Sequence, residues 1–311
     1  MTASTSKYRP PHERNSWVAT LALIVVSAFF FYPFLWMFVS AFKTTPEIYR
    51  PLQFWPAKFD PQYYGLLFTG VYFSFWRVFA NSLVIALAQA VGVVILTSLA
   101  GYVFARHRFR GSKLLFLLAV VVIVIPQQAL VVSLMDWLHR LDVFLDGLAR
   151  TNVLGVSPMA WMHMAWMHKL QLTDHLLGVI LPGLVSGLGV IYFTQVFKQI
   201  PDELFEAARL AGASEFAVYR TLLPLIVSPL LSFGFIHFVL AWHEHLIPML
   251  VLSSGSNSTL PMALSSLYGS SLRQPQAVLM AASTLTLLPI TILFCLVQRR
   301  FRNSLSELLV H

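Results

Sequence analysis

Six long apolar runs, parted by short polar or aromatic stretches, set the pattern of the chain: about Trp17–Ala41, Val78–Ala105, Leu114–Leu134, Leu176–Phe197, Leu222–Leu246 and Gln276–Val297. Each suits the roughly 20 residues a helix needs to cross a bilayer. The pattern therefore predicts an all-α integral membrane protein of six transmembrane helices. Val39-Ser40-Ala41 looks like a signal-peptidase site. The run before it is longer than the about 7–15 apolar residues of a secretory signal, so it is read as the first span. Pro33 is expected to kink that span, and Pro126, followed by Gln127 and Gln128, to break the third, because a proline ring removes a backbone donor inside a helix.

Between the spans the expectations divide. Residues 44–76 are rich in Pro and aromatic side chains and read as an interfacial outer loop. Residues 1–16 and 299–311 read as polar tails flanking a six-span domain over 17–298. An insertion over about 143–166 falls in the outer loop between spans three and four, where Trp137-Leu138-His139-Arg140 is echoed by Trp166-Met167-His168-Lys169. Met162, His163, Met164, Met167 and His168 form either a soft-metal or partner site or, the reading preferred, part of an amphipathic helix at the outer interface, with Trp and Met down and His and Lys up.

Composition sharpens this picture. With 57% hydrophobic and 11% charged residues, and a mean hydropathy of +0.71, the chain is too apolar for a soluble protein of its length. The net charge of +8 lies in short loops beside apolar runs, the distribution of the positive-inside rule rather than of a nucleic-acid footprint. Arg106, Arg108, Arg110 and Lys113 mark one loop as cytoplasmic, and both termini are placed on that side. Cys295, the single cysteine, sits in an apolar run and is read as a buried packing residue. No phosphate-binding loop is present, and Gly111-Ser112-Lys113 lacks its spacing.

The chemistry is concentrated in Glu206–Pro224, EAARLAGASEFAVYRTLLP, a charged amphipathic island between two apolar runs. Gly212 permits a sharp break there, and Ser214 is suited to cap a second short helix. The pattern E-A-A, three residues, G, then L-P closely resembles the EAA loop of permease subunits of binding-protein-dependent ABC importers. It is carried by Glu206, Ala207, Ala208, Gly212, Leu223 and Pro224, with Ala211 where the family commonly has Asp. The Ala-Arg-x-Arg-Phe loop, the Trp242 region and Gln298-Arg299 appear in family order, as in the sugar-type permeases of maltose and glycerol-phosphate transporters. What the resemblance implies is a non-enzymatic permease of the inner membrane. It would work with a second permease, two ATPase subunits that bind the ATP and Mg, an extracytoplasmic solute-binding protein and lipid, and hold no cofactor itself. Glu206, Ala207, Ala208, Arg209, Gly212, Ala213, Glu215 and Pro224 would then form the cytoplasmic coupling element, and a carbohydrate, a polyol or glycerol phosphate would be the solute.

Candidate path residues are Gln127, Gln128, His237, Trp242, Glu244 and His245, because intramembrane polar groups generally face a cavity or the bundle interior. On one continuous helix His237, Ala241 and Glu244 or His245 share a stripe, whereas His243 and His245 diverge, which argues against a metal site. Glu244 either contacts solute or pairs with a histidine. Two rival functions use the same residues: an ion-coupled secondary transporter relaying protons through Glu244 and its histidines, and an intramembrane enzyme, which lacks a third ligand or nucleophile.

Overall fold

The computed structural model describes residues 16–50, 52–150, 172–269 and 275–309; the side chains of 16, 127, 128, 146–150, 269 and 299–309 lie outside that description. The described residues fold as helices joined by turns, with no strand among them. Four helical runs are long and apolar enough to cross a membrane, Trp17–Ser40, Phe75–Arg106, Glu215–His243 and Gln276–Gln298, and two bent pairs raise the number of crossings to as many as six. The echo motifs at 161–170 lie outside the described residues.

The chain divides into two compact units, Met1–Leu67 with Ser271–Leu285, and Phe68–Ser270 with Thr286–His311. In the first, α1 (Ser16–Ser40) continues through Pro33 and exposes its apolar side chains to about residue 35. After it, the short helix α2 (Thr45–Ile48) is held by Glu47, whose carboxylate accepts from Thr44 N at 2.8 Å and Ala57 N at 2.9 Å. Those backbone donors lower the carboxyl pKa. Lys43, fully buried, donates to the Gln53 carbonyl at 2.6 Å and lies 5.0 Å from the Trp36 ring centre, so its charge is met within the loop. The aromatic character predicted for this loop appears as contacts of Phe42 with Phe59 and Tyr64. A further short helix, α3 (Gln62–Phe68), closes the segment.

The second unit is built on α4 (Phe75–Arg106), against which most of its other helices pack. Next come α5 (Ser112–Val124) and α6 (Gln127–Arg150), then α7 (Leu176–Gly183) and α8 (Gly187–Lys198). Two buried polar side chains of α4 are matched by other segments: Gln89 donates to the Val179 carbonyl at 2.8 Å, and Ser82 accepts from Leu260 N at 2.8 Å. Gly101 allows α8 to lie directly against α4, since a Cβ there would stand 2.6 Å from that of Phe193 and 2.7 Å from its carbonyl carbon.

Span three breaks at Pro126, as expected, whereas span four is not the continuous helix expected. Pro126 cannot donate to the preceding turn and pushes Ile125 into extended backbone (φ −79°, ψ 118°), so α5 and α6 meet at 116°. The chain also bends by 46° between Gly183 and Gly187, where Ser186 caps α8 by accepting from Gly189 N at 3.1 Å. After α8 follow α9 (Asp202–Leu210), α10 (Glu215–Leu222), a 3-10 turn at Leu223–Ile226, α11 (Val227–His243), α12 (Leu246–Val251), α13 (Leu260–Gly269) and α14 (Gln276–Leu309). Cys295, expected to be buried, is exposed on α14, because the apolar face it shares is left uncovered by this chain.

Two carboxylates hold the segments beside spans three and four. Asp142 accepts from the backbone N–H of Leu172 at 2.6 Å and of Thr173 at 2.9 Å. Asp174, at φ 58°, accepts through Oδ1 from Ser253 N and Ser254 N, both at 2.9 Å. The Ser254 N–H is the main cause of its lowered pKa. A carboxyl whose folded pKa lies below its unfolded value contributes stability above the unfolded pKa, near 3.9, and loses it as pH falls through the folded one. Asp174→Ala is expected to speed amide exchange at Ser253 and Ser254 about tenfold at neutral pH, as loss of a charged acceptor requires. In the wild type, protection corrected for intrinsic exchange should decay on acidification below the ordinary aspartate range; equal protection in both proteins at neutral pH would refute the role.

Candidate functional site

The island folds as two short helices about a glycine. Asp202 and Glu203 occupy the first turn of α9, where they complement the helix dipole, and Arg209 occupies the last. Gly212 turns the chain at φ +80°, and Ser214 caps α10, its Oγ accepting from Ala217 N at 3.4 Å. Phe205 of α9 and Val218, Tyr219 and Leu222 of α10 are buried in one cluster with Tyr102 of α4 and Phe193 and Phe197 of α8. The apolar face of each short helix is thereby fixed onto the transmembrane bundle.

Polar contacts set the angle between them. Glu215 receives Arg209 Nε at 2.9 Å and Nη2 at 3.3 Å, a two-point contact across the Gly212 turn, and this raises the Arg209 pKa further. The same carboxylate accepts from the Tyr102 hydroxyl at 2.6 Å and stands 3.2 Å from His107 Nε2. Tyr219 OH meets Ser98 Oγ at 2.8 Å. Arg106, the last residue of α4, donates to the carbonyls of Phe197 at 2.6 Å and of Ile200, pairs with Asp202, and lies 3.8 Å from the centre of the Phe205 ring. It therefore joins the end of α4, the end of α8 and the start of α9.

The island leaves two large apolar side chains uncovered. Leu210 is 89% exposed and Phe216 65% exposed, on either side of the Gly212 turn. Glu206, Ala207, Arg209 and Pro224 are also exposed, and Ala208 and Ala213 partly so. A Cβ on Gly212 would find no atom within 4 Å, so the space over the turn is open in this chain.

The family model for the binding-protein-dependent transport system inner membrane component matches residues 97–307, a stretch that contains the whole island. The chain belongs to that family. It is an inner-membrane transport permease and not an enzyme. Among curated relatives, it is 28% identical over 300 residues to the arabinooligosaccharides transport system permease protein AraQ of Halalkalibacterium halodurans, covering 94% of this chain and 95% of that one. It is 26% identical over 272 residues to the lactose transport system permease protein LacG of Rhizobium radiobacter, covering 87% of each. The fold is shared, at a TM-score of 0.66 and 18% identity, with a chain in the crystal structure of a bacterial ABC transporter involved in the import of the acidic polysaccharide alginate, covering 94% of this permease and 100% of that chain.

The permease's expected path residues fall at the start of α6, on α11 and in the break before α12. His237 lies on α11 and places Nε2 3.0 Å from the Gly183 carbonyl, where the helix of span four ends. Trp242 is buried, stacked on Phe238 and donating to the Thr286 carbonyl at 3.2 Å. The helix expected to carry through Leu246 ends at His243, and Glu244 is extended (φ −66°, ψ 128°). Its Oε1 accepts from Leu246 N at 2.9 Å and Ile247 N at 3.4 Å, so it caps α12, while His245 is exposed at that helix's start. The expected single stripe through residue 244 is thus broken, and no ion pair joins Glu244 to a histidine among the described residues. Gln127 and Gln128 open α6, with side chains outside the described residues. No group of three His, Cys, Asp or Glu side chains suited to a metal occurs among the described residues.

Residues the sequence did not single out complete the island. Tyr102, Arg106 and His107 support it from α4, and Asp202 from α9. Their signal was present in the four-residue spacing of Tyr102 and Arg106, which puts both on one face of the helix end.

Proposed function

We propose that the chain is the permease subunit of an ATP-driven importer that carries a carbohydrate delivered by a solute-binding protein. The observation that carries this reading is the island, two short helices fixed to the bundle by Phe205, Tyr219 and Arg106, with Leu210, Gly212 and Phe216 facing outward. A rigid projection with an uncovered apolar crest transmits the motion of a docked ATPase to the spans behind it. The small residues at Ala207, Ala208, Gly212 and Ala213 let a partner's surface approach the backbone. Energy comes from two ATPase subunits that bind ATP and Mg, and the cavity forms with a second permease.

In this reading each bent pair is one crossing, which gives six spans with both termini and the island in the cytoplasm, where the Arg106–Lys113 cluster also lies. The segment around 143–166 is then outside. The sugar assignment rests on the solutes named for AraQ and LacG, relatives that align over most of this chain.

The test is uptake by the assembled complex in proteoliposomes, with labelled arabino-oligosaccharide, lactose and glycerol 3-phosphate as solutes. Uptake of a neutral sugar is expected only with binding protein outside the vesicle and ATP with Mg on the island side. Uptake that follows a pH gradient and ignores ATP would instead identify an ion-coupled transporter.

A further inference from the structure

The two breaks in the helices of the second unit open onto one cavity of about 310 Å³. Its wall includes Pro126 at the bend of span three, Ser186 and Gly187 at the bend of span four, and Phe233, His237 and Leu240 of α11. Non-helical backbone at membrane depth is stable only where it is buried in protein or lines a cavity, and both irregular stretches meet here. The volume falls within the about 300–1,000 Å³ usual for small-molecule sites.

The polarity of the wall follows from its hydrogen bonds. Gly183 is the last residue of α7, and its carbonyl has lost the helical partner four residues on, because Gly187 starts a new helix. His237 Nε2 lies 3.0 Å from that oxygen. A carbonyl only accepts, so Nε2 carries the proton, and in the neutral ring Nδ1 is left as an acceptor. Ser186 Oγ already accepts from Gly189 N at 3.1 Å, which leaves its own hydrogen to donate. Phe233 stacks on the imidazole at 6.3 Å and an interplanar angle of 22°, fixing the plane of the ring. Among the described residues, no Lys or Arg lines the cavity.

We propose that this cavity is a solute subsite for one ring of an uncharged sugar, in which His237 accepts a hydrogen bond from one hydroxyl and Ser186 donates to another. The inference rests on the carbohydrate reading above and goes further by naming the side chains that recognise the solute. An acceptor and a donor on an otherwise apolar wall match hydroxyls against the face of a sugar ring. A phosphate would enter with its charge unmet by these residues, so the subsite is expected to reject glycerol 3-phosphate.

The experiment measures, in the reconstituted complex, the uptake of lactose and of arabinotriose, of their monodeoxy derivatives, and of glycerol 3-phosphate. The wild type is expected to carry a neutral sugar and to reject at least one monodeoxy form about three- to tenfold, the discrimination one hydrogen bond supplies. His237→Phe keeps the stacking and removes both ring nitrogens, so that ratio should fall to near one, with subunit stoichiometry as the check on assembly. Because His237→Phe also leaves the Gly183 carbonyl without its donor, His237→Gln serves beside it: the amide N–H replaces Nε2 and the amide oxygen supplies an acceptor, so part of the ratio should return. Equal loss of all solutes, or an unchanged ratio in both variants, would overturn the subsite while leaving the importer reading intact. Wild-type uptake of glycerol 3-phosphate with no neutral sugar carried would overturn both.

Discussion

Gly212→Val is expected to reduce coupled uptake more than tenfold while the chain still inserts into the membrane. Gly212 sits at φ +80°, a region in which a side chain costs about 1–2 kcal/mol and a β-branched one more. That cost acts on one exposed turn and shifts the angle between α9 and α10, which the Arg209–Glu215 contact otherwise fixes. A valine meets no atom of this chain, so any clash it makes is with whatever docks on the crest between Leu210 and Phe216. Gly212→Asn separates the two effects. Asparagine tolerates positive φ, so the turn should survive, but its side chain still occupies the open space over the backbone. Co-purification of the ATPase subunits and uptake per assembled complex are the measurements. The expected order is wild type, then Asn, then Val, and normal uptake with Gly212→Val would show that the ATPase docks elsewhere.

The apolar runs were readable because a bilayer demands about 20 consecutive apolar residues, and each of the six expected runs is helical in the structure, whole or in pieces. The island was readable too, since Ser214 and Gly212 are the residues a cap and a left-handed turn require. Where hydropathy failed was at points decided by backbone donors. Pro126 and the Leu184–Ser186 break leave the apolar count of their spans almost unchanged, yet turn the chain by 116° and 46°. Glu244 was placed on a continuous helix for the same reason, whereas the helix has ended one residue earlier and the carboxylate caps the next. Arg106 was counted only as part of a basic loop, because its partners lie 91 to 96 residues further on and nothing local announces them. Long-range polar contacts of this kind follow from the packing of α4 against α8, which side-chain periodicity does not encode.

Arg106→Lys is expected to uncouple the transporter although the charge is conserved. The Arg106 side chain is 11% exposed, whereas that of its partner Asp202 is 77% exposed. An ion pair so open on one side contributes less than about 1 kcal/mol, so Asp202→Asn should lower stability slightly and leave uptake within about twofold. The carbonyls of Phe197 and Ile200 are different, since both lie where α8 ends and the guanidinium meets the two together, the Phe197 oxygen accepting from Ile200 N at 3.3 Å as well. Charged hydrogen bonds contribute about 1.5–3 kcal/mol each, and the contact with the Phe205 ring adds to them. Lysine offers neither the planar fork nor the stacking face, so Arg106→Lys should cost about 2–4 kcal/mol at this joint. The loss falls where α4, α8 and α9 meet, so the island should rock on the bundle while the ATPases still bind it. The number of sugars carried per ATP hydrolysed is then expected to drop more than tenfold with ATP hydrolysis itself retained. A wild-type ratio in Arg106→Lys would dismiss Arg106 as the strut, and an equal drop in Asp202→Asn would assign the joint to the ion pair instead of the two carbonyls.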